Sequence, residues 1–181
     1  MEDQSVGIKA RISSLGWRQW KWLFLVNLLF VIIVIAIGSS SPLSAIEGEE
    51  ILENFESSLP DIATTPIFIN NFLIAVIMFI PVLGPTIGTI ILHTTGVVIA
   101  ATAMSVNLPG ILLLLGLLIF PFAWLEFISY SVAITQSIFL VIGLLRRRFK
   151  NELFRTVFLI LTVFVMLFVA AFIEAILILA L

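Results

Sequence analysis

The strongest constraint on this chain is a long stretch without formal charge. From Ile62 to Leu125, 64 residues, the sequence contains no Asp, Glu, Lys or Arg. As one straight helix this stretch would measure about 96 Å, which is about three times the thickness of the hydrocarbon core of a bilayer. The sequence therefore predicts that the stretch crosses a membrane and folds back on itself.

The composition excludes a soluble fold. Apolar and aromatic residues make up 61% of the chain and charged residues 11%, whereas a soluble domain is roughly half apolar and about a quarter charged. Cysteine is absent and His93 is the only histidine, which excludes disulfides, thiolate sites and multi-histidine metal or haem sites. We predict an all-α polytopic membrane protein, with residues 1–181 in a single integral membrane domain and with no cofactor.

The charges are segregated along the chain. All Lys and Arg residues lie within residues 1–21 and 146–155, whereas the segment 39–66 contains only acidic charges. Excess Lys and Arg mark cytoplasmic segments, so we predict cytoplasmic segments at 1–21 and 146–155, an external acidic loop at 39–66, a cytoplasmic N-terminus and an external C-terminus. Each basic cluster flanks an apolar segment, so we interpret them as topology determinants and not as nucleic-acid contacts. The second cluster contains Arg146, Arg147, Arg148 and Lys150.

Proline and glycine at residues 81–85 and 107–110 predict the ends of helices. Both basic segments are predicted on the cytoplasmic side, so an even number of crossings must separate them. The residues before 110 account for three crossings, so residues 110–145 cross once. As one helix these residues would measure about 54 Å, which is longer than a single crossing needs. The extra length predicts a broken or re-entrant half-helix at 110–120, interrupted at Pro121. Apolar spacing also predicts an interfacial amphipathic helix at 5–20 and a further amphipathic helix in the external loop. The five predicted transmembrane helices are 22–38, 67–81, 86–105, 123–145 and 156–181.

Glu126 is the first candidate functional residue. A carboxylate inside a membrane segment is costly and marks a partner or a pathway. Two interpretations stay open: a protonated side chain that hydrogen-bonds between helices, or a site for a substrate, an ion or a proton. For Glu174 we expect anchoring at the outer headgroups, and for His93 a packing role. Gly84, Gly88 and Gly96 share a helical stripe, which indicates close helix packing in a bundle or an oligomer.

Several motifs of the chain resemble those of the stage II sporulation protein M family. They are Phe68-Ile69-Asn70-Asn71-Phe72, Gly84-Pro85-Thr86-Ile87-Gly88, His93-Thr94-Thr95-Gly96 and Phe120-Pro121-Phe122-Ala123-Trp124-Leu125-Glu126. Their order and approximate spacing hold over residues 65–145. The resemblance implies that Asn70, Asn71, Pro121 and Glu126 carry the family pattern. Phe122 and Ala123 stand where the family has His-Gly, which removes the polar group nearest to Glu126.

The resemblance implies a polytopic component of membrane complexes. We predict a non-catalytic integral membrane subunit or scaffold of a larger assembly. Its partners would be the lipid bilayer and other integral membrane proteins or further copies of itself. The alternative is a small transporter or channel subunit with Glu126 on an ion, proton or lipid pathway. A membrane enzyme would require the fold to bring Glu126, Glu174 and His93 together, and nothing in their spacing requires that they meet.

Overall fold

The structure, a computed structural model, describes residues 2–58, 64–147 and 149–180. Within these ranges the chain forms α-helices and no strands, which confirms the predicted all-α fold. Arg148 and residues 59–63 of the predicted external loop lie outside the described residues. The helices are α1 (Glu2–Ser39), α2 (Ala45–Ser58), α3 (Thr64–Met78), α4 (Leu83–Ser105), α5 (Gly110–Leu117), α6 (Pro121–Leu145) and α7 (Phe149–Ala180).

Four of the described helices are long and apolar enough to cross a membrane: α1 from Gly16 onward, α4, α6 and α7. The helix α3 is apolar but has only 15 residues, so it measures about 22 Å against a hydrocarbon core of about 30 Å. It lies where the short second span was predicted. The helix α5 has eight residues, about 12 Å, so it does not cross and lies where the half-helix was predicted. The chain is thus a polytopic helical membrane protein.

Two helices differ from the predicted boundaries. The helix α1 is continuous from Glu2 to Ser39, so the predicted interfacial helix and first span form one helix, and an isolated Gly16 does not interrupt it. The predicted basic loop is mostly helical, because the chain turns at Arg146 and Arg147 and α7 begins at Phe149 instead of Thr156. Lys, Arg and Glu are good helix formers. Their clustering therefore indicates sidedness but not where a helix begins.

The helix α6 lies at the centre of the bundle, packed against α1, α3, α4 and α7. Every residue from Ser129 to Ser137 is buried. This segment contains five polar side chains that are fully enclosed: Ser129, Ser131, Thr135, Gln136 and Ser137. A lipid-facing helix could not satisfy so many polar groups, so the neighbouring helices must supply their partners.

We name the two ends of the bundle by their charges. The basic end carries Arg146, Arg147 and Lys150, and the acidic end carries α2, whose Glu49, Glu50 and Glu53 are exposed. Two hydrogen bonds align helices near the basic end: Trp20 Nε1 donates to Gln136 Oε1, and Ser137 Oγ donates to the carbonyl of Ile80. Glu126 lies ten residues before Gln136, or about 15 Å along α6, which is about half the thickness of the hydrocarbon core.

The helices α1 and α4 approach most closely where Gly38 meets Gly96. A Cβ atom at Gly96 would lie 2.8 Å from the Cα atom of Gly38, and one at Gly38 would lie 2.9 Å from that of Gly96. Gly84 lies against the carbonyl of Met78, and a Cβ atom at Gly88 would lie 3.1 Å from the Met78 side chain. These glycines therefore face other parts of the same bundle and allow its backbones to approach.

Candidate functional site

A hydrogen bond between α3 and α6 lies at the core of the candidate site. Pro121 begins α6, where a missing N–H costs nothing, and Trp124 Nε1 donates to the carbonyl of Leu118 at 2.8 Å across the break before it. This start places Glu126 within the second turn of α6. There Asn71 Nδ2 donates to Glu126 Oε1 at 2.5 Å. Two residues that the resemblance singled out, 55 positions apart, are thus directly bonded.

A cavity of about 200 Å³ adjoins this pair. Most of its wall is apolar or aromatic, with a few polar groups in the pattern typical of small-molecule sites. Its volume is below the range of about 300–1,000 Å³ that suits drug-sized ligands, so it fits a ligand of few heavy atoms. The lining residues are Ile35, Phe55, Ile67, Asn70, Asn71, Ile74, Ile91, Leu92, Thr95, Glu126, Phe127, Tyr130 and Glu174.

Glu174 and Tyr130 add further polar groups to this cavity. Glu174 comes from α7, and it is close enough to Glu126 to interact with it electrostatically. The sequence favoured a headgroup anchor for Glu174, and nothing in the spacing of the two carboxylates indicated that they share a cavity. Tyr130 follows Glu126 by one helical turn and is only 7% exposed. Among the described residues its hydroxyl has no hydrogen-bond partner.

The remaining candidates divide between this cavity and another surface. Asn70 lines the cavity, and its Nδ2 lies 3.5 Å from Asn71 Oδ1. His93 is exposed and lines a shallow groove between α1 and α4 together with Val34, Ile37, Thr89, Ile90 and Thr94. The fold therefore brings Glu126 and Glu174 together and leaves His93 apart from them. The acid–base trio that a membrane enzyme would need does not form.

The acidic end is covered in part by α2. Its start has a capping box, in which Ser44 Oγ donates to Glu47 Oε2 at 2.7 Å and the Glu47 N–H donates to Ser44 Oγ at 3.3 Å. The bonds from the hydroxyl and backbone N–H of Ser44 lower the pKa of Glu47 below its usual value. A Cβ atom at Gly48 would lie 2.9 Å from Met104 Sδ on α4. Phe55, further along α2, lines the cavity.

A second polar cluster lies near the basic end, around Thr135, Gln136 and Ser137, and polar residues of this kind commonly hydrogen-bond between membrane helices. Gln136 is fully buried, accepts a hydrogen bond from Trp20 Nε1 at 3.2 Å, and donates to Thr156 Oγ1 at 3.0 Å and to the Glu152 carbonyl at 3.2 Å. Arg155 pairs with Glu152 at 3.6 Å. These contacts join α1, α6 and α7. The available signal was the run of three polar residues, 135–137, within an apolar helix.

Aromatic rings surround the guanidinium of Arg155 in this cluster. Its centre lies 5.1 Å from the Trp17 ring, 5.0 Å from the Trp20 ring and 5.3 Å from the Phe139 ring. Cation–π contacts of this kind stabilise a charge that is partly removed from water. The cluster is therefore a packed junction of three helices, whereas the acidic-end cavity retains open space between its polar groups.

The described residues contain no group of three or more His, Cys, Asp or Glu side chains that could hold a metal ion. The cavity instead offers two carboxylates, two carboxamides and a phenol. Such a set can hold a cation by charge and hydrogen bonding, or can take up and release a proton.

Comparisons with known proteins identify the family. The model of the family described as Stage II sporulation protein M matches residues 22–177, most of the 181 residues. The match includes the cavity and the basic-end cluster except for Trp17 and Trp20, and it confirms the resemblance seen over residues 65–145. Searches of curated proteins and of solved structures gave no match. The chain therefore belongs to the stage II sporulation protein M family.

Proposed function

We propose that the chain is a non-catalytic integral membrane subunit of a larger membrane protein assembly. The observation that carries this proposal is the position of His93. A Cβ atom at Gly84 would lie 3.1 Å from Ser137 Oγ, near the basic end, and His93 lies nine residues further along α4, or about 13 Å. His93 is thus near mid-membrane height, exposed on the outer surface of the bundle.

An imidazole at that height is costly when it faces lipid, because hydrocarbon offers no hydrogen-bond partner. Among the described residues His93 has no hydrogen-bond partner. A helix of another membrane protein, or of a second copy, could supply one while covering the apolar groove around it. Ile37 and Ile90 in that groove are 59% and 63% exposed. Polar side chains commonly connect membrane helices in this way.

The glycines support the same location for a partner. Gly84, Gly88 and Gly96 lie against this chain's own backbone or side chains, so they are not free to serve an external helix. The groove beside His93 remains as a concave, partly polar surface on the α1–α4 face. We propose the predicted orientation as well, with the basic end cytoplasmic and the acidic end external, on the strength of the opposite charges at the two ends.

The absence of cysteine from the chain permits a direct test. A cysteine at Ile90, in the groove, should form cross-links to a second copy or to another protein in native membranes. A matched cysteine at Leu161, which is 61% exposed on α7, should not. Adding His93→Leu should lower the Ile90 cross-linking several-fold. Equal cross-linking at both positions, or no effect of His93→Leu, would contradict the proposal.

The cavity favours a second candidate, a small transporter or channel subunit in which Glu126 lies on an ion or proton pathway. The supporting observation is a carboxylate within a membrane-spanning helix that faces a cavity instead of closely packed side chains. In reconstituted vesicles Glu126→Gln should then reduce cation or proton flux. Flux that is unchanged by this substitution would remove the candidate.

A further inference from the structure

We propose that the cavity at the acidic end binds a small organic cation of the alkylammonium class. The site is formed by Glu126, Glu174, Tyr130 and the Asn70–Asn71 pair, with apolar walls around them. This inference does not depend on the assembly proposed above, because the groove beside His93 is lined by other residues.

The charge of the lining indicates a cation. Two carboxylates line the cavity, and no Lys or Arg does. Glu126 has one described hydrogen bond, from Asn71, whereas Glu174 has no hydrogen bond or ion pair among the described residues. A carboxylate removed from water needs a partner to offset the cost of desolvation. A cationic ligand would provide this partner for both carboxylates at once.

Tyr130 gives an independent indication that a ligand belongs in the cavity. Its side chain is more than nine-tenths buried, yet its hydroxyl has no hydrogen-bond partner among the described residues. Tyrosine hydroxyls inside a protein usually have such a partner, and because this oxygen is not fully enclosed by the described residues, a partner can reach it from the cavity. Because Tyr130 lines the cavity, a ligand amine held by the carboxylates could donate to this oxygen and complete its bonding.

The size and the walls of the cavity favour an organic cation over a bare metal ion. The cavity of about 200 Å³ has room for several waters, since about 10–15 Å³ of such volume is enough for one, and it is much larger than a dehydrated metal ion. Calcium takes about six to eight oxygen ligands, and most of this wall is aliphatic or aromatic. Phe55, Phe127 and Tyr130 supply aromatic rings of the kind that recognise ammonium groups.

The acidic end also suits the entry of a cation. Exposed carboxylates of α2, including Glu49, Glu50 and Glu53, lie at this end, and fields of one sign raise the local concentration of opposite charges. Phe55 of the same helix lines the cavity. The carboxylates of α2 would therefore attract the cation, and the interior pair would bind it.

The test uses the full chain in lipid nanodiscs, with n-butylammonium and tetramethylammonium as probes and sodium and calcium as inorganic comparisons. Calorimetric titration should show saturable binding of at least one ammonium ion. Glu174→Gln should weaken this binding about ten-fold or more, as expected when a charged partner is removed from a buried site. Tyr130→Phe should weaken the binding of n-butylammonium several-fold, since one hydrogen bond from its N–H is lost, and should have little effect on tetramethylammonium, which has no N–H to donate.

Glu53→Gln is the matched control, because Glu53 is exposed on α2 and does not line the cavity. Because Glu53 adds only to the field at the entrance, which salt screens, we expect Glu53→Gln to lower the affinity by less than about two-fold at physiological ionic strength. Glu174→Gln is the deciding variant because Glu174 makes no described hydrogen bond, so its substitution removes a charge without breaking a bond between helices. The proposal is overturned if neither ammonium ion binds saturably, if sodium or calcium binds in their place, or if Glu53→Gln weakens binding as much as Glu174→Gln.

Discussion

Buried polar side chains are hydrogen-bonded differently in the two halves of α6. Near the basic end, Gln136 exchanges hydrogen bonds with Trp20, Thr156 and the backbone of Glu152. Toward the acidic end, Glu126 has one described bond, from Asn71, and opens onto a cavity. The first arrangement satisfies Gln136 within the chain, although Arg155 Nε and Nη2 beside it are buried without a hydrogen-bond partner among the described residues. The second leaves Glu174 and Tyr130 without described hydrogen-bond partners.

This difference separates stability from ligand binding. Hydrogen bonds such as those of Gln136 hold helices together and offer nothing to a ligand, because their donors and acceptors are already used. A partly satisfied cluster contributes less to folding but keeps bonding capacity for another molecule. We therefore expect substitutions near the basic end to act mainly on stability, and substitutions around the cavity to act mainly on binding.

The largest expected effect on stability is from Gln136→Ala. Hydrogen bonds between membrane helices contribute about 0.6 kcal/mol on average and at most about 1.7 kcal/mol. Because several bonds and a buried volume are lost together, we expect a loss of about 2–4 kcal/mol in the free energy of unfolding. Denaturant titration in mixed micelles measures it. Thr102→Ala is the control, since Thr102 is exposed and its hydroxyl bonds only to Val98 of its own helix.

Substitution of Glu126, toward the acidic end, is expected to have a smaller effect on stability. Glu126→Gln keeps an oxygen that can accept the bond from Asn71, so we expect it to change the free energy of unfolding by less than about 1 kcal/mol. A double-mutant cycle with Asn71→Leu and Glu126→Leu should give a coupling of about 1 kcal/mol. If Glu126→Gln destabilised the protein as strongly as Gln136→Ala, the distinction between the two ends would be wrong.

The sequence predicted where the helices end better than it predicted which residues of different helices are in contact. Proline and glycine act locally, so Pro81–Pro85, Asn107–Gly110 and Pro121 indicated where α3 to α6 end or begin. Val82, with φ 68°, shows how tight the first of these turns is. The start of α7 was misplaced, because charge marks sidedness and not helix termini.

Contacts between distant residues could not be read from local patterns. Asn71 and Glu126 were singled out separately, by resemblance and by charge, but nothing in their spacing indicated a bond between them. Glu174 lines the same cavity as Glu126, and their separation of 48 positions on two helices gave no indication of this. The role of Gln136 depends on Trp20 and Thr156, which come from two other helices.

The smallest expected effect is the pH dependence of the stability of the first turn of α2. The folded pKa of Glu47 is lowered by its bonds from Ser44, so its contribution to the helix is fully present above the ordinary pKa of glutamate. It is lost as the pH falls through the lowered value. The protection factor for hydrogen exchange at the first turn of α2, which corrects for the slower intrinsic exchange at low pH, should therefore fall on acidification.

Ser44→Ala should reduce this pH dependence, since it removes the bond from the hydroxyl and keeps the one from the backbone N–H, whereas Thr102→Ala should leave it intact. A protection factor in the first turn of α2 that did not change with pH would contradict the assigned capping box. Protection factors near Gln136 should stay unchanged over the same pH range, which would sharpen the contrast between an exposed helix start and the enclosed residues of α6.

The buried polar residues of α6 also bear on the order in which the protein is made. A helix that carries Gln136 and Thr135 would enter lipid with unsatisfied groups if it were inserted alone. One set of partners, Trp20 and Asn27, lies on α1, which leaves the ribosome before α6. Another partner, Thr156, lies on α7 and emerges afterwards. The central helix of this protein can therefore reach its final environment only after the last one has been synthesised.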